Sequence, residues 1–505
     1  MRGLESRRLF FHLLWVTLLL KFAWAAWMPL SGDEAYFYLW AKNPGMGYYD
    51  HPPMVGWWLT LLLWFGDANW WLRTPAVLLG SGLAYGIYHL LRGVVDEDRA
   101  VMAGMLFLLS PLVLLNVIVT TDTPLIIFSF LSAWAFSHAI RENGWRWYLL
   151  SGLLLGAAFL AKYFAVLLGL TYAVYILLYR RNRHHITGML WLSLAVVPFA
   201  ALNLWWNYCH CWDNVLFNVY NRHTSGGALH VHEYLLMLIY MVTPPLIWYL
   251  LRERKSFLRG LREGDTFLFL LLLPLVLFLV VSVRARIGLH WVLAFYPFLF
   301  IALARILSAI QLRRALIFMV GFSLLHVVAL VWVLMLPHDY WKSRPAVYDG
   351  VLIGFYADEF IKRLDDQGDG YHWATGSYVD SAILEYKSGR RTSVFGKGSK
   401  YGRQDDMLTD WRQLDGKNIA VLLYREMEAQ AYAGFFHEAE IIRFPVRQRD
   451  FYLIRGKGFN YKRYRDDILR YVRDRYYRYP DFLPDGECYL YDRYFPDTDI
   501  VRLQR

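Results

Sequence analysis

Two loops in the first quarter of the chain hold the side chains best suited to acid–base chemistry. The first reads Gly32-Asp33-Glu34-Ala35-Tyr36 and runs on to Tyr48-Tyr49-Asp50-His51-Pro52-Pro53. The second is Thr120-Thr121-Asp122-Thr123-Pro124, a tight turn between two apolar runs. A carboxylate held at a membrane boundary, partly out of water, is suited to take a proton from a sugar or protein hydroxyl. Its oxygens would also suit a hard divalent cation, which makes Asp33 and Asp122 the candidate ligands if a metal is used. Plain structural roles compete with both. Asp33 could cap the helix that follows it, with Glu34 in the first turn. Asp122 could cap a helix beginning at Thr123-Pro124. Asp50-His51 ahead of two prolines reads as a turn lock as readily as a dyad.

A second set of residues carries positive charge in apolar surroundings. Lys162 separates the runs GAAFLAK and YFAVLLG, and Arg284 and Arg286 bracket Ala285 just after another apolar run, with His290 following. An Arg fork and a Lys point charge suit a lipid phosphate. The competing readings are snorkelling for Lys162 and interfacial anchoring for the two arginines.

The elements that must position these groups are membrane spans. The chain has 505 residues, 57% hydrophobic and 19% charged, a composition that excludes disordered, collagenous and coiled-coil classes. Residues 1–336 hold apolar stretches near 9–29, 71–91, 100–120, 124–140, 147–161, 164–179, 187–206, 233–251, 266–283, 289–304 and 315–336. These predict eleven spans, the first an uncleaved helix rather than a signal peptide. Residues 53–65 are too short to span and read as an interfacial helix. Trp57, Trp58, Trp64, Trp70 and Trp71 in this first loop could form a lipid-accessible groove at the interface, or simply the ordinary interfacial aromatic belt.

The net charge of +11 is placed unevenly. Residues 1–336 hold 25 Lys+Arg against 15 Asp+Glu, and residues 337–505 hold 28 against 27. With the N-terminus inside, 18 cations fall in cytoplasmic segments and six outside: Lys42, Arg73, Lys162, Arg222, Arg284 and Arg286. That asymmetry orients the spans and puts the tail outside. The excess charge therefore points to membrane topology, not to nucleic acid.

The tail from 337 to 505 alternates helical patterns with strand-like runs at residues 419–424 and 451–454, and has turns at Gly396, Gly398 and Gly402. It reads as a soluble α/β domain. Gly396-Lys397-Gly398 is too short for a phosphate loop. Cys209, Cys211 and Cys488 are too few for a disulfide framework. Cys209-His210-Cys211 resembles a metal fragment but lacks further ligands.

The first loop resembles the bacterial branch of glycosyltransferase family 39, the protein-mannosyltransferase and aminoarabinose-transferase group. The likeness rests on Gly32-Asp33-Glu34-Ala35-Tyr36 and Gly47-Tyr48-Tyr49-Asp50-His51-Pro52-Pro53-Met54. It continues in order through Thr121-Asp122-Thr123-Pro124, Leu160-Ala161-Lys162-Tyr163 and His290-Trp291, and in the tail at Thr375-Gly376-Ser377-Tyr378 and Val394-Phe395-Gly396. The resemblance implies a GT-C-type fold: an α-helical polytopic membrane protein with two juxtamembrane helices in the first outer loop and a C-terminal α/β extracytoplasmic domain. It implies inverting transfer from a polyisoprenyl-phosphate sugar, of undecaprenyl-phosphate type, at the outer face of a bacterial inner membrane. By motif, Asp33 would be the base with Glu34 beside it, and Asp122 the second acid. Lys162, Arg284 and Arg286 would hold the donor phosphate. Tyr36, Tyr49, Asp50, His51 and His290 would support them. Lipid A, another envelope glycan or a protein Ser/Thr are the acceptors it admits, and no cofactor beyond a divalent cation. A transporter should show repeated halves with interrupted helices. No such repeat is visible here, and the acids gather at one face.

Overall fold

Inside a bilayer no water reaches the backbone, so a span-length apolar run satisfies its N–H and C=O groups within its own helix, and the long runs of the first half become helices. The computed structural model describes residues 3–222, 229–368 and 370–503. Contacts divide the chain into two units. The first is Met1–Met28, Phe65–Leu202 and Ser225–Leu334; the second is Pro29–Trp64, Asn203–Thr224 and Met335–Arg505. A division at residue 337 alone thus misses two segments, the first loop and residues 203–224, which belong with the tail.

Five described helices are long and apolar enough to cross a membrane: Glu5–Trp27, Asp122–Glu142, Arg183–Tyr208, Leu289–Ile306 and Ala309–Met335. Two bent pairs raise the number to seven at most. This is fewer than the eleven stretches expected, and local chemistry explains the difference. The 100–120 stretch stops as a helix at Leu108, then makes one short turn at Pro111–Leu114, because a proline restricts the residue before it. Trp145–Phe159 and Ala165–Tyr179 have 15 residues each, roughly 22 Å at ~1.5 Å per residue, against a core of ~30 Å. The 233–251 stretch bends by 87° at Thr243, whose φ is +70° ahead of Pro244-Pro245. Arg73, one of the six outer cations, is buried. Its Nη1 donates to the carbonyls of Ala25 and Met28 at 2.9 and 2.7 Å, satisfying the end of the first span.

The second unit is built on a five-stranded sheet: β1 (Tyr371–Thr375), β2 (Thr392–Val394), β3 (Asn418–Leu423), β4 (Phe436–Val446) and β5 (Arg449–Phe459), in the order β2-β1-β3-β5-β4. β1 pairs parallel with β2 and β3, while β5 runs antiparallel to β3 and β4. The expected strand runs fall in β3, which stops at Leu423, one residue short of the expected end at 424, and in β5. The core gathers Phe395, Trp411, Val421, Ile454 and Phe459, and also takes in Tyr49 and Phe217 from the two inserted segments. Cys211 and Cys488, 277 residues apart, form a disulfide inside this unit. One bridge is not a framework, yet it ties the segment around Cys211 to the tail. Spacing along the chain gave no hint of it. It also removes Cys211 from any metal fragment, and His210 Nδ1 lies 2.9 Å from the Trp206 carbonyl.

Candidate active site

Within the second unit the first loop carries two helices, Gly32–Lys42 and Met54–Leu63. Gly32–Lys42 starts with a complete capping box. Ser31 N donates to Glu34 Oε2 at 3.0 Å, and Glu34 N donates to Ser31 Oγ at 3.3 Å. Ser31 is therefore the cap, so the capping role weighed for Asp33 falls to its neighbours. Glu34 is buried at 2% exposure and serves the helix start. Asp33, one residue earlier in that turn, is left projecting from it.

The Asp33 side chain is exposed, and its Oδ1 accepts from Tyr378 Oη at 3.3 Å. Surrounding protein raises its pKa, and the Tyr378 hydrogen bond partly offsets this. Among the described residues no cation pairs with it. The helix Gly32–Lys42 lies on Tyr378–Ser388 so closely that a Cβ on Gly32 would stand 2.3 Å from Val379 Cγ1. Tyr36 meets Tyr378 edge-on with ring centroids 5.0 Å apart.

Asp50, which accepts a hydrogen bond from Tyr36, is buried at 6% exposure. Burial pushes its pKa up to about 7, against hydrogen bonds from Tyr36 and the Gly402 N–H and the charge of Arg222; Asp33 pushes it further up. Its Oδ1 has no hydrogen-bond partner among the described residues. The turn role belongs to His51, whose carbonyl accepts from Tyr48 N at 3.0 Å. Tyr49 is fixed by its backbone, which donates to Gln404 Oε1 at 2.8 Å, while Gln404 N donates to Tyr36 Oη at 3.1 Å.

In the first unit, Asp122 does not cap. The helix Asp122–Glu142 has Thr121 as its N-cap residue, with no side-chain cap bond. Lys162 Nζ instead donates to Asp122 Oδ1 and Oδ2 at 2.8 and 2.9 Å. Lys162 is 5% exposed, in the break between Trp145–Phe159 and Ala165–Tyr179, so it does not snorkel. Arg286 Nε lies 2.9 Å from Glu233 Oε2 with its side chain largely exposed. Arg284 and His290 are exposed, and His290 meets Trp291 edge-on at 6.3 Å. The structure thus joins Asp33 with Tyr36 and Asp50, and Asp122 with Lys162. It gives Arg286 an acidic partner the sequence reading did not foresee.

Residues 50–206 match the family model described as dolichyl-phosphate-mannose-protein mannosyltransferase. That stretch contains Asp122 and Lys162 and begins after Asp33. Over 200 residues the chain is 28% identical to the lipid A galacturonosyltransferase RgtD of Rhizobium johnstonii; the match covers 39% of this chain and 41% of that relative. Two solved structures of ArnT from Cupriavidus metallidurans superpose over nearly the whole chain. The apo state has a TM-score of 0.63 at 15% identity, covering 90% of this chain and 98% of that one. The structure bound to undecaprenyl phosphate has 0.62 at 15% identity, covering 88% and 97%. The fold is that of ArnT.

Within this ArnT-type GT-C fold, several groups escaped the sequence reading. Tyr378 lies in the Thr375-Gly376-Ser377-Tyr378 motif, whose pattern alone implies no role for it, and nothing in the local sequence marks Gln404. Gly402 reads from the sequence only as a turn residue. Its φ is +69°, and a Cβ there would stand 2.0 Å from Tyr378 Cγ, so glycine lets the loop approach both Tyr378 and Asp50. A buried chain of groups also runs from Asp213 through Tyr489 and Tyr477 to Asp406 and Arg403, with successive links of 3.0, 2.9, 2.8 and 2.7 Å. The donor set does not fit a resident divalent cation. No three His, Cys, Asp or Glu side chains converge among the described residues, and both Asp122 oxygens already hold Lys162.

Proposed function

We propose that this protein is an inverting glycosyltransferase that moves a sugar from a polyisoprenyl-phosphate donor to a hydroxyl or phosphate of an envelope acceptor, lipid A or another glycan. The observation that carries the reading is Asp33: an exposed carboxylate with a raised pKa and no cationic partner among the described residues, fixed at a capped helix start. The undecaprenyl phosphate in the ArnT structure and the lipid A activity in the name of RgtD support the donor and acceptor classes.

In this mechanism Asp33 takes the proton of the acceptor hydroxyl. The freed oxygen forms a bond to the anomeric carbon from the face opposite the phosphate. The bond from that carbon to the phosphate oxygen breaks, and its electron pair leaves with the polyisoprenyl phosphate. Lys162 supplies positive charge to the departing phosphate, with Arg284 and Arg286 in the same role, and Asp122 positions the Lys162 ammonium. Glu34 holds the turn that presents Asp33. Tyr36 and Asp50 support it from behind.

The protein is an integral membrane protein of the inner membrane in this reading, with the N-terminus cytoplasmic and the tail outside. The Cys211–Cys488 disulfide supports an oxidising compartment for residues 203–224 and the tail. A second reading, transfer to protein Ser or Thr, draws on the name of the matching family model. Deletion of the gene, followed by mass analysis of lipid A and of envelope glycoproteins, separates the two. A missing sugar increment on lipid A supports the first, one on glycoproteins the second, and no change in either removes both.

A further inference from the structure

The helix Asp122–Glu142 carries the Asp122–Lys162 pair at its first residue and Arg141 in its last turn. At ~1.5 Å per residue the two ends are roughly 28 Å apart, about the thickness of a bilayer core. At the Arg141 end a cavity of about 330 Å³ is lined by Ser137, Arg141, Arg180, Glu263, Asp265 and Arg305.

Charge there is only partly used. Arg305 Nε pairs with Asp265 Oδ2 at 2.7 Å, and Asp265 Oδ1 caps the next helix through Leu268 N at 3.0 Å. Arg141 donates to its own helix, to Ser137 O at 3.2 Å and Oγ at 3.3 Å, and Arg180 Nη1 donates to the Tyr179 carbonyl at 3.2 Å. Neither guanidinium is bonded to a carboxylate among the described residues. Two unneutralised arginines facing Glu263 leave one net positive charge. That matches the net negative charge of an anionic lipid such as phosphatidylglycerol, whose phosphodiester is not offset by a head-group ammonium as it is in phosphatidylcholine.

The neighbouring element explains how such a ligand would lie. The helix Arg254–Glu263 buries none of its side chains, carries Arg254, Lys255, Arg259 and Arg262, and turns through 97° into Thr266–Val281. A basic amphipathic helix crosswise to a span lies along the membrane surface. Its Phe257, with Leu250, Leu268, Leu271, Leu303 and Ile306, lines a second cavity of about 120 Å³ that is apolar throughout. The cationic cavity and the apolar one share the same three helices, 254–263, 266–282 and 296–306.

We infer that this corner binds an anionic phospholipid. Its head-group phosphate lies on the forks of Arg141 and Arg180, and an acyl chain enters the apolar slot. The site is at the end of the bundle opposite Asp122 and Lys162, so it is not the donor site. The inference is independent of the transfer reaction.

The test uses the full-length protein in a neutral detergent. Phosphatidylglycerol should raise its unfolding temperature saturably, whereas phosphatidylcholine and inorganic phosphate should not. In native mass spectrometry, phosphatidylglycerol should outcompete phosphatidylcholine by on the order of tenfold or more, at ~1 kcal/mol for each arginine. The double variant Arg141→Gln/Arg180→Gln should lose that preference, while Arg313→Gln/Arg314→Gln keeps it. An equal response to inorganic phosphate would assign the cavity to free phosphate and overturn the lipid. Equal binding of both lipids by the wild-type protein, or a preference that survives in the double variant, would overturn the site. If the double variant fails to fold, the wild-type competition alone decides.

Discussion

The Lys162 ammonium lies between the two oxygens of Asp122, at 2.8 and 2.9 Å, and both side chains are buried. A charge pair removed from water is held together mainly by the cost of separating it: either partner alone is a buried, uncompensated ion. The pair fixes a cation at a helix break in the stretch the family model matches. The proposed leaving-group stabilisation would use that cation.

Asp122→Asn and Lys162→Met should each destabilise the protein by roughly 3–5 kcal/mol. The double variant should cost clearly less than the sum of the two. Denaturation of the purified variants in detergent gives the cycle, and additive losses would mean that the pair is not coupled as the geometry requires.

Asp33→Asn should lower the rate of sugar transfer by ~10²–10⁴-fold, the usual contribution of a general base. Binding of the lipid-linked donor should persist, because the side chain faces the acceptor in the proposed reaction. Transfer assays alongside donor-binding measurements check both halves. Transfer at the wild-type rate would remove Asp33 from the chemistry.

Tyr378→Phe tests the environment of that base. The Tyr378 hydroxyl lowers the pKa of Asp33, while partial desolvation by the surrounding protein raises it. Without the hydroxyl the Asp33 pKa rises, and the acid limb of kcat/KM moves to higher pH. A limb that moves down, or stays in place, would contradict the hydrogen bond as the cause.

Asp50 gives a pH-dependent stability. Its pKa in the folded protein is about 7, above the ordinary carboxylate value of 3.8. The folded state therefore binds the proton more tightly than the unfolded chain. This contribution is fully present below about pH 4 and is lost as pH rises through about 7. Asp50→Asn, neutral at every pH, should gain on the wild type above pH 7 by on the order of 1–4 kcal/mol. The difference should shrink towards pH 4. Melting curves across pH 4–9 would show the convergence, and a constant offset would refute it.

The disulfide closes a loop between residues 211 and 488. Cys488→Ser should cost about 2–5 kcal/mol, the usual range for a native bridge. Proteolysis should then release the tail fragment without reductant, whereas in the wild type the fragments stay joined until reduced. Fragments that separate from the unreduced wild type would disprove the bridge.

The sequence by itself determined the helical membrane half, because a span-length apolar run inside a bilayer has no water to satisfy its backbone groups and must satisfy them within its own helix. It also determined the strands at 419–424 and 451–454, where β-branched and aromatic residues cluster, and it singled out the short polar segments holding Asp33, Asp122 and Lys162. Periodicity within one segment says nothing about its partners. Whether Asp33 or Ser31 caps a helix depends on which oxygen reaches the N3 amide. Whether Lys162 snorkels or pairs depends on a carboxylate 40 residues away. Several expected spans shortened because breaks at Pro111, Thr243 and Lys162 turn the backbone where mean hydropathy does not change. Only the tertiary structure brought Tyr378, Gly402 and Gln404 to the first loop and joined Cys211 to Cys488, since those contacts are set by sheet and helix packing across hundreds of residues.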